Sequence, residues 1–288
     1  MKLIRFGPKG FELPGVELRD GSRFDVSSKI DDYTTDFFAS SGMRLLSDWA
    51  DSDFEGAPLI PDDIRLGAPV AKPGKIVCIG LNYSDHAQET GAKIPTEPVL
   101  FFKATSAIVG PNDNVVIPKG SQATDWEVEL AVVIGKKASY VAEEDALNHV
   151  AGYVLHNDYS ERDFQIKRGG QWVKGKSCDT FAPLGPWLVT PDEMGDVQNL
   201  DMWLKVNGIT RQNSSTRHMV FGVEHLISYV SQFMTLEPGD IISTGTPAGV
   251  GLGMDPPLYL KEGDKVELGI DGLGVAKQTI IAYVPPAP

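Results

Sequence analysis

Between residues 125 and 134 the chain alternates. Positions 126, 128, 130, 132 and 134 are Trp, Val, Leu, Val and Ile, and positions 125, 127, 129, 131 and 133 are Asp, Glu, Glu, Ala and Val. A period of two predicts a strand with its even face in a core. The odd face continues into Ala131 and Val133, so it reads as semi-buried, with Glu127 and Glu129 projecting from it side by side. Further strands are expected at 75–80, 150–155, 241–244 and 265–270. Val223, Leu226, Ile227, Val230, Phe233 and Met234 recur at helical spacing and predict an amphipathic helix over 222–234, ahead of Pro238-Gly239-Asp240. Asp20-Gly21 between short apolar runs signals a hairpin. A Pro/Gly-rich stretch at 69–74 divides a small N-terminal domain, 1–70, from a larger one, 71–288. Short strands with few helices, in no regular βαβ order, predict a mixed α+β, β-rich fold.

Composition narrows the choice of partners. The 288 residues carry a formal charge of −13, which argues against nucleic acid or an anionic membrane. A small anion is still acceptable, because local basic residues can override the global field. The two cysteines, Cys78 and Cys178, form no disulfide framework and fit a reducing cytosol. The N-terminus lacks the apolar stretch of a secretory signal, and no apolar run is long enough to span a bilayer, so a cytoplasmic location is expected. No glycine-rich nucleotide fingerprint follows a strand.

The candidate chemistry begins with the paired glutamates. Two carboxylates forced together on a semi-buried face repel and lose hydration. A divalent cation relieves both problems, and oxygen ligands suit magnesium, calcium or manganese; the competing reading is an exposed edge strand with solvated acids. Asp158 ends the strand that starts at Val150 and could be a third ligand, or, with Glu161 three residues on, a helix cap. His86 and Glu89 share a face of a short helix after the 75–80 strand. They are either a surface pair or a general base oriented by a carboxylate, on a segment short enough to act as a mobile lid. Lys174 and Lys176 are solvated loop charges or cations for a developing anion. The loop 244–251, TGTPAGVG, directly follows a strand and offers glycine backbone and threonine hydroxyls to a ligand.

Taken together these segments resemble the fumarylacetoacetate hydrolase family, in the branch of acylpyruvases and 2,4-diketo-3-deoxy sugar-acid hydrolases. The resemblance rests on GLNYSDHAQE (80–89), EPVLFFK (97–103), DWEVELAVVIGK (125–136), GYVLHNDYSERD (152–163), GKSCDTFAPLGPW (175–187), LKVNG (204–208) and STGTPAGVG (243–251), in family order. It implies a β-sandwich roll with a barrel-like core, a variable N-terminal domain and a homodimer. It implies Glu127, Glu129 and Asp158 as ligands of Mg²⁺, with Mn²⁺ as substitute, and His86 with Glu89 as a water-activating dyad. It further implies Lys176 as the active-site lysine, Arg162 and Gln165 near the substrate, Thr246 on the substrate carboxylate, and Lys103 at a family lysine. Cys178 stands where many relatives have phenylalanine, which affects the pocket wall. The implied activity is hydrolysis of a C–C bond in a 2,4-dioxo acid to pyruvate and a second acid. The stretch 251–260 points within the branch to 2,4-diketo-3-deoxy-L-rhamnonate or L-fuconate. Oxaloacetate decarboxylase or tautomerase, isomerisation of aromatic-degradation intermediates, ureidoglycolate lyase and a non-enzymatic metal-binding scaffold are the alternatives.

Overall fold

The computed structural model describes residues 1–85, 89 and 93–285. Its largest unit is an 11-stranded sheet, in which the strand Val128–Ile134 lies between Val150–Asn157 and Ile241–Ser243. Every residue of Val128–Ile134 is buried. A strand with apolar residues at both 131 and 133 can be covered on both faces, as central strands are, and the exposed-edge reading of Glu129 is thereby excluded. Beyond Ile241–Ser243 the sheet continues into Ile76–Gly80, which runs parallel to it, and then into Val99–Lys103.

On the other side Ala182–Val189 joins Val150–Asn157, and the N-terminal strand Lys2–Phe6 pairs antiparallel with Ala182–Val189 through Lys2↔Val189 and Leu3↔Leu188. Leu13–Glu17 and Arg23–Asp25 extend that edge as a hairpin around Asp20-Gly21. A second sheet of five strands packs its apolar side into the same core, where Leu204 and Leu268 join Val128 and Leu130. Among the described residues no helix is long and apolar enough to cross a membrane.

The amphipathic helix spans Val223–Ser231, shorter than the 222–234 expected. Val223, Leu226, Ile227 and Val230 are buried as the stripe predicted, but Phe233 is 63% exposed. Its ring packs on Tyr229 at 4.9 Å, in an outer row with His225 and Phe221. The apolar spacing at 233 therefore belongs to an aromatic ladder on the surface rather than to the core stripe.

Candidate active site

The register of the large sheet assembles an acidic cluster. Glu129 lies opposite His156, and Ala131 lies opposite Ser243. Glu127 stands one residue before its strand begins; its N–H donates to Asn157 Oδ1 (3.0 Å) and its carbonyl accepts from Asp158 N (2.9 Å). These contacts bring Glu127, Glu129 and Asp158 together so that one carboxylate oxygen from each lies within 4.8 Å of the other two. Asp158 caps no helix. The cap of the short helix Arg162–Ile166 is Glu161, whose side chain accepts from Asp163 N at 3.1 Å.

Cations face part of this cluster. Lys176 Nζ donates to Glu127 Oε2 (2.6 Å) and Asp158 Oδ2 (2.9 Å), and Lys103 Nζ to Asp158 Oδ1 (2.5 Å) and Tyr159 O (3.0 Å). Arg162 donates to Asp125 (2.8 Å) and Gln165 (3.0 Å) and pairs with Glu127 Oε1 (2.8 Å). Four carboxylates, at 125, 127, 129 and 158, thus meet three cations, at 103, 162 and 176, leaving one negative charge in excess. That excess falls on Glu129, which takes hydrogen bonds from neutral donors, Ser243 Oγ (2.5 Å) and Gly245 N (3.0 Å).

The titration behaviour follows from these contacts. Burial, then Asp158 and Glu127, push the Glu129 carboxyl well above the ordinary range, against the pull of Lys176 and the Ser243 bond. Burial would raise Asp158 too, but Lys103 and Lys176 hold it well below the usual carboxylate range. Burial would lower Lys176, yet Asp158 and Glu127 raise it, so it stays an ammonium. A buried acid lacking a cation, beside two further carboxylates, is a donor set that suits a hard divalent ion.

Glu127 and Glu129 of the cluster lie on the floor of a cavity of about 240 Å³, while Asp158, fully buried, is not among its lining residues. Glu127, Glu129, Lys176, Arg162, Gln165 and Thr246 line it, as do Ile79, Phe101, Trp172, Val250 and Leu252. Lys103 is not among the lining residues: it lies behind Asp158, 2% exposed. Thr246 Oγ donates its proton to Val128 O (3.0 Å) and accepts from Gln212 Nε2 (2.8 Å). Its hydroxyl is therefore already committed in this arrangement. His86 lies outside the described residues. Glu89 is described, and both its oxygens accept from Gly249 N, at 3.0 and 3.1 Å. That contact ties Glu89 to the loop whose Val250 and Leu252 line the cavity.

Several residues that build the site were not expected from the sequence to have a role in it. Asp125 accepts from Arg162, Gly251 N (2.7 Å) and Leu252 N (2.9 Å), joining the wall to the floor. Gln212 bridges Thr246, Pro247 and Val128 N. His156, pushed down to about 3 by burial and so neutral, meets Ser243 Oγ through Nδ1 at 2.6 Å. Asn82 holds Thr244 O (2.8 Å) and both backbone groups of Phe221. Next to it Leu81 carries a left-handed φ of 54°, a conformation that turns the chain sharply out of its strand at the cavity wall. The usable signal was polarity inside apolar strands: a lone His or Ser there, as at 156 and 243, needs a partner, whereas Gln212 lies in the largely polar strand Ile209–Ser215 and gave no such signal.

Comparisons with known proteins agree with this architecture. A family model, the fumarylacetoacetate (FAA) hydrolase C-terminal domain, matches residues 75–281. A Burkholderia multivorans protein that carries a hydrolase name without a substrate is 54% identical over 275 residues, covering 95% of this chain and 96% of its own. The solved fumarylacetoacetate hydrolase of Exiguobacterium antarcticum superposes with a TM-score of 0.87 at 40% identity, covering 98% of this chain and 100% of that one. The maleylpyruvate hydrolase of Sphingobium sp. SYK-6, solved with manganese(II) and pyruvate, gives 0.81 at 31% identity, covering 99% and 100%.

Proposed function

The chain belongs to the fumarylacetoacetate hydrolase family, and from that premise we propose that it is a metal-dependent hydrolase cleaving the C3–C4 bond of a 2,4-dioxo acid. The single observation that carries this reading is the buried Glu127–Glu129–Asp158 cluster, whose two glutamates line the floor of a cavity together with Lys176. Glu127, Glu129 and Asp158 would hold Mg²⁺, with Mn²⁺ as substitute, and the ion supplies Lewis-acid stabilisation of an enolate. The chemistry is placed in residues 71–288, with 1–70 as a small N-terminal domain. The protein is read as a cytoplasmic homodimer that takes a small dioxo acid and binds neither nucleic acid nor membrane.

The residues divide the work by charge. His86, oriented by Glu89, takes a proton from water as the water oxygen bonds to C4. The C3–C4 electron pair leaves with C3, and a proton returned to C3 gives pyruvate. The acyl carbon departs with the water oxygen as the second acid. Lys176, held as an ammonium, places a positive charge where the oxyanion and then the enolate develop. Arg162 and Gln165 form a fixed polar wall through their mutual bond. The sugar-acid derivatives of L-rhamnonate and L-fuconate and simple acylpyruvates all belong to the substrate class so defined.

Pyruvate release from acetylpyruvate, 2,4-diketo-3-deoxy-L-rhamnonate and oxaloacetate, each with Mg²⁺ and with EDTA, tests the reading. Metal-dependent pyruvate with a stoichiometric second acid is expected from the first two. Pyruvate from oxaloacetate alone, with carbon dioxide, would move the chain to decarboxylation. Metal binding without turnover of any of these acids would favour a scaffold.

A further inference from the structure

The wall of the cavity away from the carboxylates is apolar and aromatic, and its cations are already committed. From Lys176 the lining passes to Phe101, whose ring centroid is 4.9 Å from Lys176 Nζ, and on to Trp172, whose ring centroid is 5.3 Å from that of Phe101. Trp172 and Lys176 belong to one turn of chain, joined by the Lys176 N–H to Trp172 carbonyl bond (3.1 Å). The indole is seated on Gly80: a Cβ there would come within 2.7 Å of Trp172 Cζ3. The missing side chain at 80 is what lets the indole edge lie against the strand that carries Ile79. Ile79, Ile166 and Leu252 extend the same surface.

The cations on this lining already face acids of the chain. The Arg162 guanidinium serves Asp125, Glu127 and Gln165, and the Lys176 ammonium serves Glu127 and Asp158. Both cations of the described lining, Arg162 and Lys176, thus already face carboxylates of the chain, and a second substrate carboxylate would have to compete with these for them. A maleyl group, by its chemistry, ends in such a carboxylate, and the apolar part of this wall offers it no opposite charge. A hydroxyl set against Phe101, Ile79 or Leu252 would likewise lose its water partners without a replacement.

Resting on the hydrolase reading above, we propose that the acyl end of the substrate is uncharged and apolar, an alkyl or aryl group seated on Phe101 and Trp172. The enzyme then selects 2,4-dioxo monoacids over those with a second carboxylate or a hydroxylated acyl group. Trp172, with Gly80 making room for it, is the specificity-determining residue.

The experiment compares kcat/KM across matched acylpyruvates. Acetylpyruvate establishes that hydrolysis occurs. Propanoylpyruvate and its lactoyl counterpart, 2,4-diketo-3-deoxy-L-rhamnonate, differ by one hydroxyl, and benzoylpyruvate is set against maleylpyruvate. The propanoyl compound is expected to exceed the lactoyl one by about 10-fold, with about 100-fold as the ceiling for a hydroxyl in an apolar pocket. Benzoyl should exceed acetyl, and maleyl should be the poorest. Trp172→Ala should bring the benzoyl-to-acetyl ratio towards one, mainly through KM, and Gly80→Ala should do the same by displacing the indole. A parallel binding measurement follows tryptophan fluorescence on addition of benzoate or maleate, with Trp172→Phe as reference. Quenching by benzoate that is lost in the variant supports the proposal. A lactoyl preference, a maleyl preference, or stronger binding of maleate overturns it. If no dioxo acid is turned over, the hydrolase reading falls, and the binding measurement still decides whether the wall takes an apolar group.

Discussion

Replacing Glu129 by Gln should stabilise the metal-free protein and abolish its response to metal. Glu129 is 1% exposed and has carboxylate neighbours within 4.8 Å. At that separation two like charges repel by about 3.5 kcal/mol for an effective dielectric of 20, an amount partly offset by Lys176. Because burial and its acidic neighbours raise the Glu129 pKa in the folded state, the folded chain binds more protons there than the unfolded chain. This site's contribution is therefore most favourable below the unfolded pKa, 4.5, and is lost as pH rises towards the folded value, at up to about 1.4 kcal/mol per pH unit. A glutamine keeps an acceptor for Ser243 and Gly245 and has no charge to desolvate. Near neutral pH in EDTA the variant should be more stable by about 1–3 kcal/mol, or roughly 3–10 °C in Tm. With Mg²⁺ at a hundred times Kd the gap should close or reverse, since the wild type gains about 2.7 kcal/mol and the variant little. Mg²⁺ binding to the wild type should release a proton, its affinity rising by up to about tenfold per pH unit. The assay is chemical denaturation over about pH 5–8, with titration calorimetry in two buffers of different ionisation enthalpy. A less stable metal-free variant, or equal Mg²⁺ stabilisation of both proteins, would refute the reasoning.

Other residues separate folding from chemistry. Lys103→Met breaks a fully buried ion pair behind the cavity and should cost about 3–5 kcal/mol of stability; a variant as stable as the wild type in urea would contradict that placement. Lys176→Met should leave Mg²⁺ affinity equal or higher, since a positive charge next to two ligands is removed, while pyruvate release falls by about a hundredfold or more; calorimetry and turnover on one preparation check both. His86→Ala should eliminate hydrolysis with Mg²⁺ affinity largely retained, and parallel loss of affinity would show that the dyad is wrongly assigned. Gly245→Ala combines a φ of +97° with a Cβ 2.9 Å from Asn82 Cβ; a loss of more than about 1 kcal/mol is expected, and an unchanged Tm would count against that close approach.

The parts of the fold set by local periodicity were legible. The alternation at 126–134 located the central strand and its two acids, and Lys265–Ile270 has the bounds expected of it. What periodicity could not show was coverage of both sheet faces, because Ala131 and Val133 fit an outer face as well as an inner one. The strand Lys2–Phe6 reaches the larger sheet through pairing with Ala182–Val189, a contact across more than 180 residues that no local pattern encodes. The metal-ligand candidates were legible because carboxylates on an apolar strand are locally costly. The residues that hold them, Asp125, His156, Gln212 and Ser243, act through partners distant in sequence, so each alone resembled an ordinary polar interruption. Asp158 illustrates the difference: its spacing to Glu161 fitted a cap, and only the positions of Lys103 and Lys176 show what it binds instead.

The distribution of partners within the cluster carries a further consequence. Asp158 has two lysines and Glu127 has Lys176 and Arg162, so these carboxylates are held in place by cations of the chain itself. Glu129 instead has Ser243 Oγ and Gly245 N, which orient it without neutralising it. The imbalance is therefore local: two acids are preorganised by opposite charge, and the third carries the charge that a cation would relieve. An extra lysine near Glu129 would stabilise the fold and compete with the metal, whereas loss of Lys103 would release Asp158 and unbalance the whole floor. Stability of the metal-free chain and affinity for the ion are thus opposed at residue 129. That opposition is expected where a fold keeps one charged ligand in reserve for its cation.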